Sequence, residues 1–409
     1  MSSAQVTKTN SDIQRLLRRP EIQEAFNFID SHVDEITSEQ IRICEIPAPP
    51  FLEQERALYI QRRFNELGLT DVHIDQEGNC LGFSKGLRDS ALLVVSAHLD
   101  TVFPEGTNVT VTRAGRKLLA PGISDDCCGL SALITLAAAI QAGNIKTERS
   151  ILFVATVGEE GEGNLRGVRH LMTAGSWSNR IEAFISLDGA EIDRITNQAL
   201  GSRRYRVTFR GEGGHSWGDF GVANPVHAAG RAITKLASYP VPQQPRTTFN
   251  VGRVEGGSSV NAIPQDATIE VDLRSESAEE LLKLDAFFRR AVREATEDEN
   301  SGRRGGDRPL ELTLQLIGER PSGETPADST IVQMALQATE AIGAEAHLNQ
   351  ASTDSNLPIS LGIPALTIGA GGTSGNSHTL EEWYDPRGRE IGLKRALLLS
   401  LAIAGIVEK

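Results

Sequence analysis

The segment from Ser96 to Val102 carries residue types that suit metal chemistry, at a point where a strand is predicted to end. The apolar run over 91–95 predicts a buried strand. His98 and Asp100 follow that run two positions apart, so both side chains leave the same face of the strand. An imidazole beside a carboxylate suits a metal ligand and the partner that orients it. We therefore expect a metal site at this end of the strand.

Other apolar runs of the chain also end in acids or lead to a histidine. Together the candidate ligands are two imidazoles and three carboxylates: His98, Asp125, Glu160, Asp188 and His378. In an open α/β sheet, ligands gather beyond the carboxyl ends of the strands. The set suits two divalent first-row ions, zinc above all, and we expect Asp125 to bridge them. Each acid alone would also fit a solvated loop, and a structural zinc site would be richer in cysteine.

The adjacent acids Glu159 and Glu160 need separate roles, because neighbouring side chains point in different directions. We assign Glu160 to the metal and Glu159 as the general base. A metal lowers the pKa of its bound water toward about 7, so a nearby carboxylate can take that proton and pass it to a leaving amine. The spacing leaves the reverse assignment open, and Glu159 would also fit a surface acid in a glutamate-rich turn.

The composition of this 409-residue chain is that of an ordinary globular protein, with 39% hydrophobic and 23% charged residues. Its net charge of -13 argues against nucleic acid or an anionic membrane as the main partner. The N-terminal residues lack the apolar core of a signal peptide, and no apolar stretch is long enough to span a bilayer. The four cysteines show no disulfide-scaffold or CxxC pattern. These features predict a cytoplasmic protein.

The length of the chain predicts two domains. Apolar strands alternate with helices over 1–201 and again over 319–409, which predicts a mixed α/β sheet covered by helices on both faces. Between them, residues 202–318 follow the order β-α-β-β-α-β of a small, ferredoxin-like α+β sandwich inserted into the larger domain. A helical region is predicted over 12–45. The polar, glycine-rich stretch 297–308 is predicted to be a mobile loop.

Five motifs, taken in this order, resemble those of the co-catalytic zinc peptidases. This family includes peptidase T, glutamate carboxypeptidase, succinyl-diaminopimelate desuccinylase and aminoacylase. The motifs are His98-Leu99-Asp100-Thr101-Val102, Pro121-Gly122-Ile123-Ser124-Asp125-Asp126, Gly158-Glu159-Glu160-Gly161, Leu187-Asp188-Gly189 and Ser377-His378-Thr379. The resemblance covers nearly the whole chain. It implies the zinc-exopeptidase fold, with the inserted domain as a lid and dimerisation domain.

The resemblance also implies roles for particular residues. Asp100 is expected to clamp the His98 ring, Asp125 to bridge the metals, and a rare non-proline cis peptide bond to follow Asp125. The family often has a lysine two residues after the bridging aspartate, where this chain has Cys127. Aspartate at position 188 resembles the aminopeptidase and dipeptidase branch, whereas glutamate there resembles the carboxypeptidase and desuccinylase branch. The peptidase T-like tripeptide aminopeptidases are therefore the nearest resemblance.

Three residues of the inserted domain resemble substrate-binding positions of the family. His215, in Gly213-Gly214-His215-Ser216, resembles the lid histidine that contacts the substrate carbonyl oxygen, often across a dimer interface. Asn261 resembles a substrate-binding asparagine, and Arg274 resembles an arginine that pairs with a substrate carboxylate. Without the family context they would be a surface histidine, a turn residue and a surface ion pair. A homodimer is expected if the lid pairs through its edge strand.

These assignments predict a cytoplasmic exopeptidase with two zinc ions (cobalt or manganese being possible substitutes) that hydrolyses short peptides, as an aminopeptidase, dipeptidase or tripeptidase. A metal-bound hydroxide is the expected nucleophile, with Glu159 moving the proton and His215 stabilising the oxyanion. Lid closure is expected to bring His215, Asn261 and Arg274 to the substrate. An amidohydrolase of N-acyl amino acids or a carboxypeptidase would use the same site. A non-catalytic binding protein on this fold would have lost ligands or the base.

Overall fold

The computed structural model of the chain describes residues 13–407. They form two compact units: one runs up to Ala199 and resumes at Glu324, and the other is Leu200–Gly323. The predicted boundaries at 202 and 318 lie just inside these limits, because strand pairing in the smaller unit continues to Arg320, whose backbone is opposite Ser202.

Helices and strands alternate along the larger unit before the insertion. In chain order they are α1 (Pro20–Ser31), α2 (Val33–Cys44), α3 (Gln54–Glu66), β1 (Thr70–Ile74), β2 (Cys80–Ser84), β3 (Arg88–His98), β4 (Thr112–Ala114), β5 (Lys117–Leu119), α4 (Cys127–Ala142), β6 (Arg149–Thr156), α5 (Arg166–Thr173), β7 (Ile181–Leu187) and β8 (Arg194–Ala199). The smaller unit holds β9 (Gly201–Arg210), β10 (Gly214–His215), α6 (Pro225–Ala237), β11 (Thr247–Gly256), β12 (Ala262–Ile263), β13 (Asp266–Ser275), α7 (Ala278–Ser301) and β14 (Glu311–Arg320). The chain ends with β15 (Gly323–Glu324), α8 (Thr330–Ala341), β16 (His347–Ala351), α9 (Asn356–Ser360), β17 (Ala365–Ile368), β18 (Thr373–Gly375), β19 (Trp383–Asp385) and α10 (Arg389–Ala404).

A mixed nine-stranded sheet forms the centre of the larger unit, in the order β1-β2-β6-β3-β7-β17-β8-β15, with β16 beside β8. Its central strands β6, β3, β7 and β17 are parallel neighbours. Successive residues of β3 face two different cores: Leu93 and Val95 pack in one, Leu92 and Val94 in the other. A strand buried on both faces is apolar at every position, which explains the unbroken run at 91–95. The predicted α/β fold is confirmed.

The helical region predicted over 12–45 is not one helix. Its apolar spacing continues because α1 and α2 bury residues in the same core. Between them, Ser31 Oγ donates to the carbonyl of Asn27, and the His32 ring lies 2.8 Å from the carbonyl of Phe28. These side chains occupy the last carbonyl oxygens of α1, so the backbone does not continue as a single helix.

The smaller unit is an antiparallel sheet of order β11-β13-β9-β14 with α6 and α7 in contact with it. Its long elements follow the predicted order β-α-β-β-α-β. The core contains Val207 and Phe209 of β9, Ile269 of β13 and Phe288 of α7. The prediction of a loop from 297 onward is wrong in its first part, because α7 continues to Ser301.

This extension of α7 has a tertiary cause. Glu299 is buried, and its Oε1 accepts the backbone N–H of Asn224 at 2.9 Å. Asn224 in turn caps the first turn of α6, accepting from Val226 N at 2.9 Å. The last turn of α7 is therefore held against the start of α6.

No helix within residues 13–407 combines the length and the hydropathy that crossing a bilayer requires.

Candidate metal centre

The parallel strands at the centre of the larger unit place the predicted ligands at one edge of the sheet. His98 is the last residue of β3, Asp188 follows the end of β7, and Glu160 lies four residues beyond the end of β6. The carboxyl ends of parallel neighbours meet at the same sheet edge. Strand order therefore gathers ligands that are far apart in the chain.

Asp125 lies between the two imidazoles. Its Oδ1 is 3.0 Å from His98 Nε2, and its Oδ2 is 3.0 Å from His378 Nε2. The same His378 nitrogen is 2.9 Å from Glu160 Oε1. Among the described residues, ligand atoms of His98, Asp125 and Glu160 all lie within 4.8 Å of one another. Each oxygen of Asp125 thus faces a different imidazole, the disposition of a bridging carboxylate.

The charges of the site are strongly coupled. Burial would lower the pKa of His98, but its hydrogen bond to Asp125 and the charge of Asp126 raise that pKa well above its ordinary value. Hydrogen bonds to Asp125 and Glu160 raise the pKa of His378 to about 10. Burial would raise the pKa of Asp125, but hydrogen bonds from the two imidazoles hold it well below its ordinary value. Burial, then repulsion by Asp125, raises the pKa of Asp188 to about 6.

This donor set fits divalent metal ions. The two imidazoles and three carboxylates differ in exposure: His98 and Glu160 are buried, Asp125 and Asp188 are partly buried, and His378 is exposed. The raised pKa values of the two histidines let their protons offset the carboxylate charge. Divalent first-row ions bind neutral imidazole and ionised carboxylate, so metal would take the place of the protons that make the imidazoles cationic. The residues that would hold it are His98, Asp125, Glu160, Asp188 and His378.

Asp100 orients the site in a way that differs from the expectation. Its backbone carbonyl accepts from His98 Nδ1 at 3.0 Å, whereas its carboxylate is 3.8 Å from that nitrogen. The carboxylate instead accepts the backbone N–H groups of Glu159 at 3.0 Å and Glu160 at 2.7 Å. A proton on Nδ1 leaves Nε2 as the metal-facing nitrogen. Asp100 therefore fixes both the His98 ring and the turn that carries the two glutamates.

Two further carboxylates hold the ligands in place, and neither was singled out from the sequence. Buried Glu382 accepts from the backbone N–H groups of Gly122, Ser124 and Asp125. Asp126 accepts the backbone N–H of His98 at 3.0 Å and that of Gly129 at 3.1 Å, at the start of α4.

The sequence signal available for both carboxylates is their closeness in the chain to a predicted ligand: Asp126 adjoins Asp125, and Glu382 follows His378 by four positions. The peptide bond between Asp125 and Asp126 is cis, as the resemblance implied. At Cys127, where the family often has lysine, the structure has a buried thiol.

Of the lid residues, His215 and Asn261 are neighbours. His215 pairs with Ala262 across β10 and β12, and Ser216 N donates to the carbonyl of Asn261 at 3.0 Å. Both residues are exposed. Next to them, the backbone N–H of Gly211 donates to the carbonyl of Gln265, the residue before β13 begins.

Arg274 lies near the other end of β13. It lies eight positions beyond Asp266, a span of roughly 26 Å in a strand. Its Nε is 2.6 Å from Asp272 Oδ2, so the structure shows the surface ion pair that the residue alone would suggest. An extended tripeptide reaches only about 10 Å. The span between Arg274 and the start of β13 therefore exceeds the length of an extended tripeptide.

Comparison with known proteins agrees with the sequence motifs. Residues 94–401 match the model of peptidase family M20/M25/M40. The Bacillus subtilis protein YqjE is 25% identical over 357 residues, which cover 82% of this chain and 90% of that protein. A succinyl-diaminopimelate desuccinylase of Nitrosospira multiformis is 29% identical over 188 residues, 43% of this chain and 49% of that protein.

Solved structures share the fold. The aminopeptidase PepT of Bacillus cereus superposes with a TM-score of 0.72, covering 91% of this chain and 99% of its own, at 21% identity. At that identity the likeness establishes the fold alone. The family match spans most of the chain and includes the predicted ligands, so the resemblance is confirmed: the chain belongs to peptidase family M20/M25/M40 and is a metallopeptidase.

Proposed function

We propose that this metallopeptidase binds two metal ions, zinc above all, and releases residues from the amino end of short peptides. The observation that carries the proposal is Asp125, whose two oxygens face His98 and His378 at 3.0 Å each. A carboxylate placed in this way can bridge two ions, as in two-metal hydrolases. The fold shared with PepT and the aspartate at position 188 support the aminopeptidase assignment.

The residues of the chain would divide the reaction among them. When bound, the metal pair supplies Lewis-acid activation of water and of the scissile carbonyl. Glu159 is buried beside Glu160, and Asp100 holds the backbone of both, so the point from which the Glu159 side chain extends is fixed. We assign Glu159 to accept the proton from the attacking water and to deliver it to the departing nitrogen.

A homodimer would complete this site. His215 lies beyond the start of β13, beside Ala262, and Arg274 lies near the end of β13. The two residues are therefore too far apart to contact one short peptide from the same lid. If His215 and Asn261 of the partner subunit reached across, each site would combine them with Arg274 of its own chain. In this arrangement His215 would donate to the oxyanion and Arg274 would bind a substrate carboxylate.

A reducing compartment suits the chain. The four cysteines, Cys44, Cys80, Cys127 and Cys128, are buried free thiols. Disulfides are rare in the cytosol and common in secreted proteins. We therefore keep the cytoplasm as the proposed location.

Metal content and substrate profile test the proposal together. Metal-loaded protein is expected to hold near two zinc ions per chain and to release N-terminal residues from di- and tripeptides. A panel that adds N-acetyl and N-succinyl amino acids separates the alternatives. Cleavage of the acyl compounds alone would reassign the chain to the deacylases, and failure to bind zinc would remove the basis of the site.

Mixing two inactive variants tests the dimer. In a mixed dimer of Glu159→Gln and His215→Ala chains, one site has an intact Glu159 and receives an intact His215 from the other chain. Random pairing should restore roughly a quarter of wild-type turnover. Each variant alone, taken through the same subunit-exchange procedure, is the matched control. Absence of recovery in a mixture shown to exchange subunits would contradict the shared site.

A further inference from the structure

A cavity of about 500 Å³ lies within the smaller unit, and none of the proposed metal ligands is among its described lining residues. It is formed where the segment after His215 meets the start of α6 and the end of α7. Its charged walls include Arg231, Arg303 and Arg304. We call it the arginine pocket.

The charge of the arginine pocket is opposite to that of the chain. Its described lining residues contain three arginines and one carboxylate, in a chain whose net charge is -13. That carboxylate, Glu299, is already engaged by Arg231 Nε at 3.1 Å and by the backbone N–H of Asn224 at 2.9 Å. The positive charge of Arg303 and Arg304 is therefore not balanced by Glu299.

One guanidinium nitrogen of Arg303 also lacks a hydrogen-bond acceptor. Its Nη1 is buried, and within residues 13–407 no atom accepts a hydrogen bond from it. A buried guanidinium N–H without an acceptor costs free energy. Arg303 therefore brings positive charge to the wall of the pocket with part of its guanidinium unpaired.

The segment that carries the arginines is held in place by backbone contacts. The N–H groups of Arg304 and Gly305 both donate to the carbonyl of Gly221, at 2.9 and 3.2 Å. Gly221 has a φ of +107°, and a Cβ there would meet Arg304 at 3.1 Å. The loop predicted to be mobile is thus docked on the segment that follows His215, so the pocket has a defined wall.

The mouth of the pocket is apolar. Phe220 and Val260 line the pocket and are largely exposed, and Ile263 lines it as a buried residue. Guanidinium groups bind carboxylate and phosphate oxygens in charge-assisted hydrogen bonds, whereas exposed apolar side chains favour an apolar body. We propose that the arginine pocket binds a small organic oxyanion, with its charged group at Arg303 and Arg304 and its apolar part against Phe220 and Val260.

Calorimetric titration of the intact, metal-loaded protein tests this binding site directly. Benzoate is the carboxylate probe, inorganic phosphate the phosphate probe, and sodium chloride at equal ionic strength the control. We expect saturable binding of benzoate in the millimolar range or tighter. Tighter binding of phosphate than of benzoate would assign the charged group to phosphate. If both benzoate and phosphate failed to bind above the chloride control, the proposal would be overturned.

Variants locate the bound probe. The double variant Arg303→Ala with Arg304→Ala should weaken binding of the probe about tenfold or more, because each lost charge-assisted hydrogen bond contributes substantially to the binding free energy. Val260→Glu should weaken it comparably by repulsion, and this fully exposed position lets the variant fold normally. Arg290→Ala is the matched control, because it removes an exposed arginine of α7, the helix that precedes Arg303 and Arg304, outside the pocket.

Two results would refute the assignment. One is unchanged binding in both the double variant and Val260→Glu. The other is binding that survives those changes and disappears when the metal is removed, since the probe would then occupy the metal centre. The titration does not use turnover, so its outcome is independent of the proposed peptidase specificity.

Discussion

Glu382 should set the metal affinity of the site through the loop that carries Asp125. Its Oε1 accepts from Ser124 N at 2.8 Å, Ser124 Oγ at 2.6 Å and Asp125 N at 3.0 Å. Its Oε2 accepts from Gly122 N at 2.8 Å. Four donors of one short segment thus depend on a single buried carboxylate. We predict that Glu382→Gln weakens zinc binding while leaving every proposed ligand in place.

The hydrogen bonds give the size of the effect. In glutamine an NH2 group replaces one oxygen, and the smallest loss occurs when it faces Gly122 N, where two donors then oppose each other. The lost charge-assisted hydrogen bond is worth about 1.5–3 kcal/mol, which corresponds to a weakening of roughly 10- to 150-fold. Changes to residues that support metal ligands commonly cost about 10- to 100-fold in metal affinity, so the two figures agree.

Zinc titration of metal-free protein by calorimetry measures this directly. Glu381→Gln is the matched control, because the neighbouring carboxylate is exposed and should leave the affinity unchanged. Glu382→Ala removes the acceptor from all four donors and should also lower the thermal midpoint. The reasoning would be refuted if Glu382→Gln bound zinc within twofold of the wild type, or if Glu381→Gln weakened it equally.

Three other perturbations test separate parts of the site. Glu159→Gln should keep its metal content and lower kcat by about 10²- to 10⁴-fold; metal loss, or turnover near the wild-type value, would remove Glu159 from its proposed role. Asp100→Asn should lower kcat more than zinc affinity, because its side chain holds the backbone of Glu159 and Glu160 while its carbonyl still accepts from His98; equal losses in steady-state kinetics and zinc titration would contradict this. Chelation should lower the melting temperature seen by calorimetry, and zinc should restore it, since a bound metal stabilises the folded state; an unchanged melting temperature after verified metal removal would argue against a metal that contributes to folding.

Much of the site could be predicted because its signals are local. An apolar strand that ends in His98 and Asp100 is visible in a few residues, and so is a turn that carries Glu159 and Glu160. The carboxyl ends of parallel strands converge whatever their distance along the chain. Residue types at or just beyond strand ends therefore predicted His98, Glu160 and Asp188. The loop residues Asp125 and His378 were predicted from their motifs, and no sequence signal showed which oxygen faces which imidazole.

The support for that site could not be predicted in the same way. Glu382 acts on Gly122, 260 residues away, and nothing near Glu382 in the chain distinguishes it from its exposed neighbour Glu381. Similarly, Asp100 shares its carboxylate with the turn after β6 only because β3 and β6 are adjacent in the sheet. Such contacts depend on strand order.

In the smaller unit, the sequence by itself determined the order of helices and strands, and the tertiary structure decided which residues can act together. Length in a strand is fixed by backbone geometry, so Arg274 and His215 are separated once β13 is straight and paired on both sides. The docking of Arg304 on Gly221 likewise depends on the packing of α6 against α7. Local patterns determine which elements form and in what order, because these follow from backbone propensity and periodic burial, whereas the end of α7 was decided by the contact of Glu299 with Asn224. Proximity between distant residues follows from packing, which the sequence expresses only through the whole fold.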